Sequence, residues 1–551
     1  MTAAAGGRPA SVTLVVLASA AGLAFEWYDF FVFGTLTPII ARNFFSGLSS
    51  TAGLLAALGL FGAGFFFRPI GALIFGRLGD VAGRKGAFLI TMSLMGGATV
   101  AIGLLPTYPQ VGVIAPLLLV LMRIIQGTAL GGVYGGAVIY VAEHAPPGRR
   151  ATLTSTVQAS AAVGLIAALG AVLGARLLVG DASFGASGWT GGWRIPFLLS
   201  AGLLAISLWM RLSLAESPVF AALEARGEAS RTPYRDAFGQ WSNVKTILAA
   251  LVAIMSAQGA AWYLAFFYAE QVFLERFLKL PAKTGEQLLI LMTLASGPLY
   301  VFFGWLSDKV GRKWVMWGGM TLALVAYFPA FHAMTHLANP ALERAQRAAP
   351  VVVWADPSRC SLQFDITGKA RYVTSCDLAK SALANAGVSY ANIAAPAGTV
   401  AMVRIGGAVV ASREAGGLVP AAAKAVAAQV QSQVGAALAA AGYPAKANPA
   451  EVDFWGLLGV LMVFVIACTA LYGPIATALV ELFPARIRYT ALSLPYHVGT
   501  GWVGGFVPVT AFAIVTATGD IYAGLWYPFV FTAISVFTLP FLIPETRGRA
   551  I

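Results

Sequence analysis

Setting aside loop and end residues, five ionisable side chains stand inside apolar stretches of this chain: Glu26 and Asp29 in LAFEWYDFFVFG, Arg68 in FFFRPIG, Arg123 in LVLMRIIQG and His497 in LPYHVG. A charge in hydrocarbon costs at least a few kcal/mol, so each marks function by default. Glu26 and Asp29 are three residues apart, which gives them one helix face. At a rise of about 1.5 Å per residue, Glu26 falls roughly 20 Å into its run, close to mid-membrane. Two carboxyls that close in low dielectric do not both ionise readily, which suits one of them to take up and release a proton. Arg68 and Arg123 keep their charge and offer planar forks matched to a carboxylate. They can hold Glu26 and Asp29 in the empty state and pass to a carboxylate substrate, which would make proton and substrate binding interdependent. The alternative is that the four form fixed structural ion pairs. His497 can titrate near physiological pH, or pack as a satisfied neutral ring.

The elements that must position these groups are membrane helices. The 551 residues are 58% hydrophobic and 11% charged, with mean hydropathy +0.77, far from the roughly 25% charge of a soluble domain. Apolar blocks recur near or above the roughly 20 residues a spanning helix needs. They lie near 12–40, 52–75, 87–105, 114–142, 152–178 and 195–213, then 245–273, 285–306 and 314–335, then 454–480, 490–516 and 524–543, six and six. The first, Val12 to Ile40, exceeds a signal core in length and is expected to stay as the first span. The chain divides into a bundle (1–213), a central loop (214–244), spans 7–9 (245–336), an insert (337–452) and spans 10–12 with the tail (453–551). Basic residues collect in alternate loops: Arg77, Arg84 and Lys85; Arg149 and Arg150; Arg226, Arg231, Arg235 and Lys245; Lys309, Arg312 and Lys313; Arg486 and Arg488; Arg547 and Arg549. All share one side if both termini are cytoplasmic. The net charge of +13 is then largely a topology signal, and nucleic acid is not expected as a partner.

The loop after span 2 reads GRLGDVAGRKG and the loop after span 8 reads GWLSDKVGRKW. Gly76, Asp80, Gly83, Arg84 and Lys85 align without a gap on Gly304, Asp308, Gly311, Arg312 and Lys313, at a constant offset of 228 (308 − 80). Each aspartate can sit at a neighbouring helix N-terminus, where the dipole favours anions, with the arginine pairing across the loop. This duplicated motif resembles the hallmark of the major facilitator superfamily. EWYDFFVFG, FRPIGALIFGRLGD, RIIQGTALGG, GWRIPF, ESP, ELFPARIRYTALSLPYHVG and PETRG further resemble its metabolite:proton symporters. The resemblance covers everything except the insert. It implies an all-α membrane protein of twelve helices in two bundles, alternating access around a central cavity, and import driven by protons. That branch carries shikimate, α-ketoglutarate, citrate and other carboxylates, and proline or betaine.

The resemblance places Tyr28, Tyr263, Tyr268, Tyr472 and Tyr496 within or near cavity helices, and Arg123 on the span 4 arginine tied to proton transfer. Glu26, Asp29 and Arg123 are therefore expected to couple protons. Tyr28, Arg68, Gln126, Gln258, Tyr263, Tyr472, Tyr496 and His497 are expected to contact substrate. Span 5 is rich in small residues, which permits close packing, and lacks the Gly-Pro pair typical of drug antiporters. The expected function is proton-coupled import of a small organic acid; an osmolyte importer or a solute sensor using the insert is the alternative. The expected site is a bacterial inner membrane, as a monomer with lipid and a small metabolite as partners and the proton as coupling ion, without a cofactor.

The insert should lie outside the cytoplasm. VVVWAD, SLQFDI, KARYVTS and TVAMVRIGGAVVAS read as strands, while DLAKSALANAG and PAAAKAVAAQVQSQVGAALAAAG read as helices, together a small α/β domain. Cys360 and Cys376 stand in an oxidising space and are expected to pair. No metal-ligand spacing and no catalytic signature appears, so no catalytic residue is assigned and the chain is not read as an enzyme.

Overall fold

The computed structural model describes residues 12–46, 50–212, 215–363 and 372–551, with the backbone alone for 50–63. Twelve long helices order the chain: span 1 (Val12–Phe44), span 2 (Ser50–Val81), span 3 (Arg84–Leu104), span 4 (Ile114–His144), span 5 (Arg150–Val179) and span 6 (Arg194–Leu212). Span 7 (Trp241–Phe277), span 8 (Ala282–Val310), span 9 (Arg312–Ala338), span 10 (Phe454–Leu482), span 11 (Ala485–Thr518) and span 12 (Ala523–Leu542) follow. Among the described residues, 11 of these are long and apolar enough to cross a membrane; span 2, whose first side chains lie outside the description, is the other.

The helices run further than apolar content predicts, because their last turns leave hydrocarbon but still pack on neighbours. Span 2 continues through Val81 and span 3 begins at Arg84, so the first motif is no loop but a tight turn around Gly83 at φ 101, a backbone that favours glycine. Gly311, at φ 121, makes the same turn between spans 8 and 9.

Small residues set the helix crossings. A Cβ on Gly71 would lie 1.8 Å from the Thr128 carbonyl oxygen, so spans 2 and 4 meet backbone to backbone. Gly259 makes the equivalent approach to the Gly499 carbonyl, joining spans 7 and 11. Span 5 uses Gly164 against Ala24 of span 1. Between the halves, span 8 packs on span 5 and span 11 on span 2. Spans 7 and 11 are not regular: π-helical stretches cover Leu251–Met255 and Leu264–Phe277 in one and Val498–Gly504 in the other.

Span 9 runs from the motif to Ala338, so the insert sits at the opposite end of the bundle. Its sheet is ordered β2-β1-β3-β4, with β1 (Val351–Ala355) parallel to β2 (Tyr390–Ala394) and antiparallel to β3 (Met402–Ile405), and β3 paired with β4 (Ala408–Ala411). Helices Ser375–Asn385 and Pro420–Ala440 cover it. Val351, Val353, Val403, Leu383 and Val434 form its dry centre. Two expected strands are absent among the described residues: Ser361–Gln363 and Tyr372–Thr374 are coil, Ser375 opens a helix, and the remainder of SLQFDI and KARYVTS lies outside the description. The first segment is instead held by the Cys360–Cys376 disulfide and by Ser361 donating to Asp377. The strand taking that place in the sheet, β2, has four exposed residues after Tyr390, so no alternation marks it.

Candidate functional site

A small cavity lies between the halves. Glu26, Trp27 and Phe30 of span 1, Arg68 of span 2 and Leu130 of span 4 line one side; Gln258, Trp262 and Tyr263 of span 7, Tyr472 of span 10, and Tyr496, His497 and Thr500 of span 11 line the other. The π-helical stretches flank the lining segments of spans 7 and 11, a placement common at functional sites. Among the described residues, Glu26 Oε2, Arg68 Nε and Gln258 Oε1 are buried without a hydrogen-bond partner. Buried polar atoms are ordinarily paired, so an acid, a base and an amide here face space that a polar ligand can fill. The Arg68 guanidinium stacks 4.3 Å over Phe65, which fixes its plane.

Aromatic rings join the halves around this space. Tyr134 of span 4 stacks on Tyr496 at 3.6 Å, Gln158 donates to the Tyr134 hydroxyl at 2.8 Å, and the Tyr472 and Tyr496 hydroxyls are hydrogen-bonded. Trp27 meets Trp262 at 5.5 Å and Phe30 meets Phe267 at 5.8 Å, bridging spans 1 and 7. Tyr134 and Trp262 escaped the sequence reading, since among so many aromatics nothing in their type singles them out.

Asp29 does not share Glu26's surroundings. Its carboxylate accepts from Thr99 at 2.5 Å and Ser200 at 3.2 Å, inside the first half against spans 3 and 6. Gln126 donates to Thr99 at 2.7 Å and accepts from Arg123 at 3.0 Å, so Asp29 reaches Arg123 through two intervening side chains. Arg123 lies 3.4 Å over the Phe33 ring. Three expectations are corrected here. Glu26 and Asp29 do not form one site, because 60° between residues three apart suffices to point one outward and one inward in a packed bundle. Tyr28 donates to the Pro196 carbonyl at 2.6 Å and faces span 6, and Gln126 belongs to the Asp29 chain; neither lines the cavity. Arg68, Gln258, Tyr263, Tyr472, Tyr496 and His497 do. Tyr268 packs near Phe331, away from it.

At the motif-bearing end, two charge clamps cross between halves. Asp80 accepts from Arg84 at 2.7 Å and from the Tyr489 and Thr490 amides, at 3.1 and 2.8 Å, in the first turn of the α-helix that starts at Arg488 in span 11. Asp308 pairs with Arg312 at 2.8 Å and accepts from the Ala151 and Thr152 amides, at 3.2 and 2.8 Å, in the first turn of span 5. Both use a helix N-terminus as anion partner. Two glutamates missed in the sequence complete them: Glu143 accepts from Arg488 at 2.7 Å, and Glu481 lies 3.7 Å from Arg150 and 3.4 Å from Arg312. Glu-x6-Arg recurs as Glu143…Arg150 and Glu481…Arg488, a repeat that could have found them. Glu216 of ESP accepts from the Arg84 and Lys85 amides, and Glu545 of PETRG from those of Arg312 and Lys313. Gly76 and Gly304 let the neighbouring helices approach, with would-be Cβ atoms 2.8 Å from Thr490 Cα and 2.2 Å from Ser155 Oγ. The Lys85 ammonium reaches the Leu212 carbonyl and that of Lys313 the Pro540 carbonyl.

Residues 14–298 match the family described as sugar (and other) transporter. The shikimate transporter of Escherichia coli K12 is 35% identical over 58% of this chain and 72% of its own length. A protein named as a possible proline/betaine transporter of Staphylococcus aureus COL is 35% identical over 58% of this chain and 68% of its own. In structure, a double-tryptophan mutant of the transporter XylE superposes with a TM-score of 0.64 at 16% identity, covering 98% of each chain, a likeness of fold alone. The duplicated motif, the two six-helix halves and these matches agree: the chain belongs to the sugar (and other) transporter family of the major facilitator superfamily, and it is a multi-pass membrane transporter of small molecules, not an enzyme.

Proposed function

We propose that the protein is a proton-coupled symporter importing a small organic acid, with Glu26 as the proton acceptor and Arg68 as the substrate's carboxylate partner. The supporting observation is that both line this cavity and that, among the described residues, each has a buried polar atom without a hydrogen-bond partner. With Glu26 charged, Arg68 faces an internal anion and an acid substrate is repelled. Once Glu26 takes a proton, Arg68 faces the cavity with an uncompensated charge and a carboxylate fits its fork. Asp29, Thr99, Gln126 and Arg123 act as a buried chain that holds span 1 against spans 3 and 4. Gln258, Tyr263, Tyr472, Tyr496 and His497 supply neutral polar contacts. The lysine and arginine distribution supports a topology with the clamps and both termini in the cytoplasm and the insert outside. In this state the clamps close the cytoplasmic ends, and alternating access requires them to part. The names of the relatives support a metabolite as cargo, an acid in one case and a zwitterion in the other.

A zwitterion remains the second reading, since one acid and one base facing each other match its two charges. Uptake into proteoliposomes with an acidic exterior separates the two. Shikimate is expected to accumulate, and Glu26→Gln to abolish accumulation while leaving downhill exchange. Accumulation of betaine but not of any acid favours the zwitterion, and full gradient-driven accumulation by Glu26→Gln removes the role given to Glu26.

A further inference from the structure

A helix ends with four carbonyls that have no partner of their own. At the insert-facing end of span 11, four consecutive carbonyls are taken up by the insert: that of Thr516 by the Tyr390 hydroxyl, that of Ala517 by the Lys380 ammonium at 3.0 Å, that of Thr518 by Asn392 at 2.6 Å, and that of Gly519 by the Tyr390 amide at 2.8 Å. Tyr390 is 6% and Lys380 8% exposed, so their bonds are shielded from solvent, while that of Asn392 lies at the surface. The lysine charge also complements the negative end of the helix dipole. Gly519 permits the approach, since a Cβ there would lie 2.2 Å from the Tyr390 carbonyl oxygen.

The same insert helix that carries Lys380, Ser375–Asn385, ends on span 7. Asn385 accepts from Arg276 through its side chain and from Lys279, at 2.6 Å, through its carbonyl. Gly387, at φ 67, follows so closely that a Cβ would meet the Phe277 carbonyl oxygen at 2.1 Å. One short helix therefore bridges the outer ends of two spans.

We infer that the insert is the C-terminal cap of span 11 and a clamp between spans 7 and 11, and that Lys380, Tyr390 and Asn385 are positioning residues for the cavity. Spans 7 and 11 together carry Gln258, Trp262, Tyr263, Tyr496, His497 and Thr500. Each also has a π-helical stretch between its insert contact and, or at, those residues. Such stretches are locally less constrained than α-helix, so their position depends on how the helix ends are held. The clamp fixes both ends to one body. This rests on the cavity being the substrate site, but its test does not depend on which substrate is carried.

Amide hydrogen exchange of the full chain in lipid nanodiscs, wild type against Lys380→Met/Tyr390→Phe/Asn392→Ala, reads the clamp directly. Each lost bond to a polar or charged donor is worth a few-fold in the opening equilibrium. The triple variant is expected to exchange about tenfold or more faster at 512–519 and also, at a distance, at 496–504, while remaining folded by its melting transition. Gly387→Val, which severs only the span 7 contact, is expected to speed 264–277 and leave 512–519 as in wild type. Lys380→Arg, which restores a donor, returns the protection. Faster exchange confined to the contact residues, with 496–504 unchanged, overturns the positioning role; unchanged exchange throughout overturns the cap as well. Either result leaves the proton-coupling reading of Glu26 intact, as failure of that reading leaves this one.

Discussion

Asp80→Asn tests whether the charge clamps hold the halves together. The Asp80 carboxylate accepts one bond within its own half, from Arg84 at 2.7 Å, and two across it, from the Tyr489 and Thr490 amides at 3.1 and 2.8 Å. Asparagine has the same shape but replaces one acceptor oxygen by a donor, whereas the Arg84 guanidinium and the Tyr489 and Thr490 amides that bond Asp80 are all donors. One buried N–H is thus left without a partner, at about 1–3 kcal/mol, and the charge at the helix N-terminus is lost, at about 0.3–1 kcal/mol. Removing one member of a buried ion pair can reach about 3–5 kcal/mol. Arg84 retains the Gly79 and Ala485 carbonyls, at 2.5 and 2.6 Å, and Glu143 at 3.9 Å, which holds the total near about 2–3 kcal/mol. The cross-half bonds exist only when the ends are closed, so the closed-to-open ratio falls about 30- to 150-fold. A population about 99% closed falls to roughly 40–77% closed. Spin labels on Val81→Cys and Arg486→Cys, one in each half at exposed positions, read this by pulsed dipolar distance measurement. The native cysteines do not compete, being bonded or buried. A distance distribution identical to that of the parent refutes the reasoning.

Three further outcomes follow from the packing. Gly71→Ala forces a methyl into the Thr128 backbone and is expected to lower stability by about 1–3 kcal/mol or more, seen as a fall in melting temperature; no change would mean that spans 2 and 4 separate freely. Cys360→Ser with Cys376→Ser opens a loop of sequence separation 16 and is expected to destabilise the insert by about 3 kcal/mol, read by exchange protection of β1, which would stay unchanged if the bond is dispensable. Lys279 lies beyond the end of span 7, where burial, reinforced by the Arg276 charge, pushes its ammonium down from 10.5 to about 8. The undocked state then binds more protons between those values, so docking of the insert strengthens as pH rises from about 8 to 10.5. Melting of wild type and Lys279→Met across that range checks the sign, since the variant should lose the dependence.

The spans and the motif were legible because hydrocarbon thickness and turn geometry leave few ways to write them. The two aspartate clamps were legible because the chain states them twice. The acid pair shows where such reading stops. Spacing reads Glu26 and Asp29 as sharing one helix face, but the packing of spans 3 and 6 decides that Asp29 turns inward to Thr99 and Ser200. Tyr28 and Gln126 were misplaced for the same reason, since a helix packed on several sides offers a polar side chain more than one partner. Glu143 and Glu481 looked like ordinary span ends until their arginines came from the opposite half. In the insert, β2 was hidden because its exposed residues lack a two-residue period.

Proton movement with the cargo tests the coupling of Glu26 to Arg68 most directly. The acid is first chosen as the one that most raises the melting temperature in a panel containing shikimate, α-ketoglutarate and citrate. It is then added, at equal pH inside and out, to weakly buffered proteoliposomes. Wild type is expected to alkalinise the medium as the acid enters, and Glu26→Gln to exchange the labelled acid without any pH change. Equal alkalinisation by Glu26→Gln contradicts Glu26 as the proton carrier, and its absence in wild type contradicts proton symport itself.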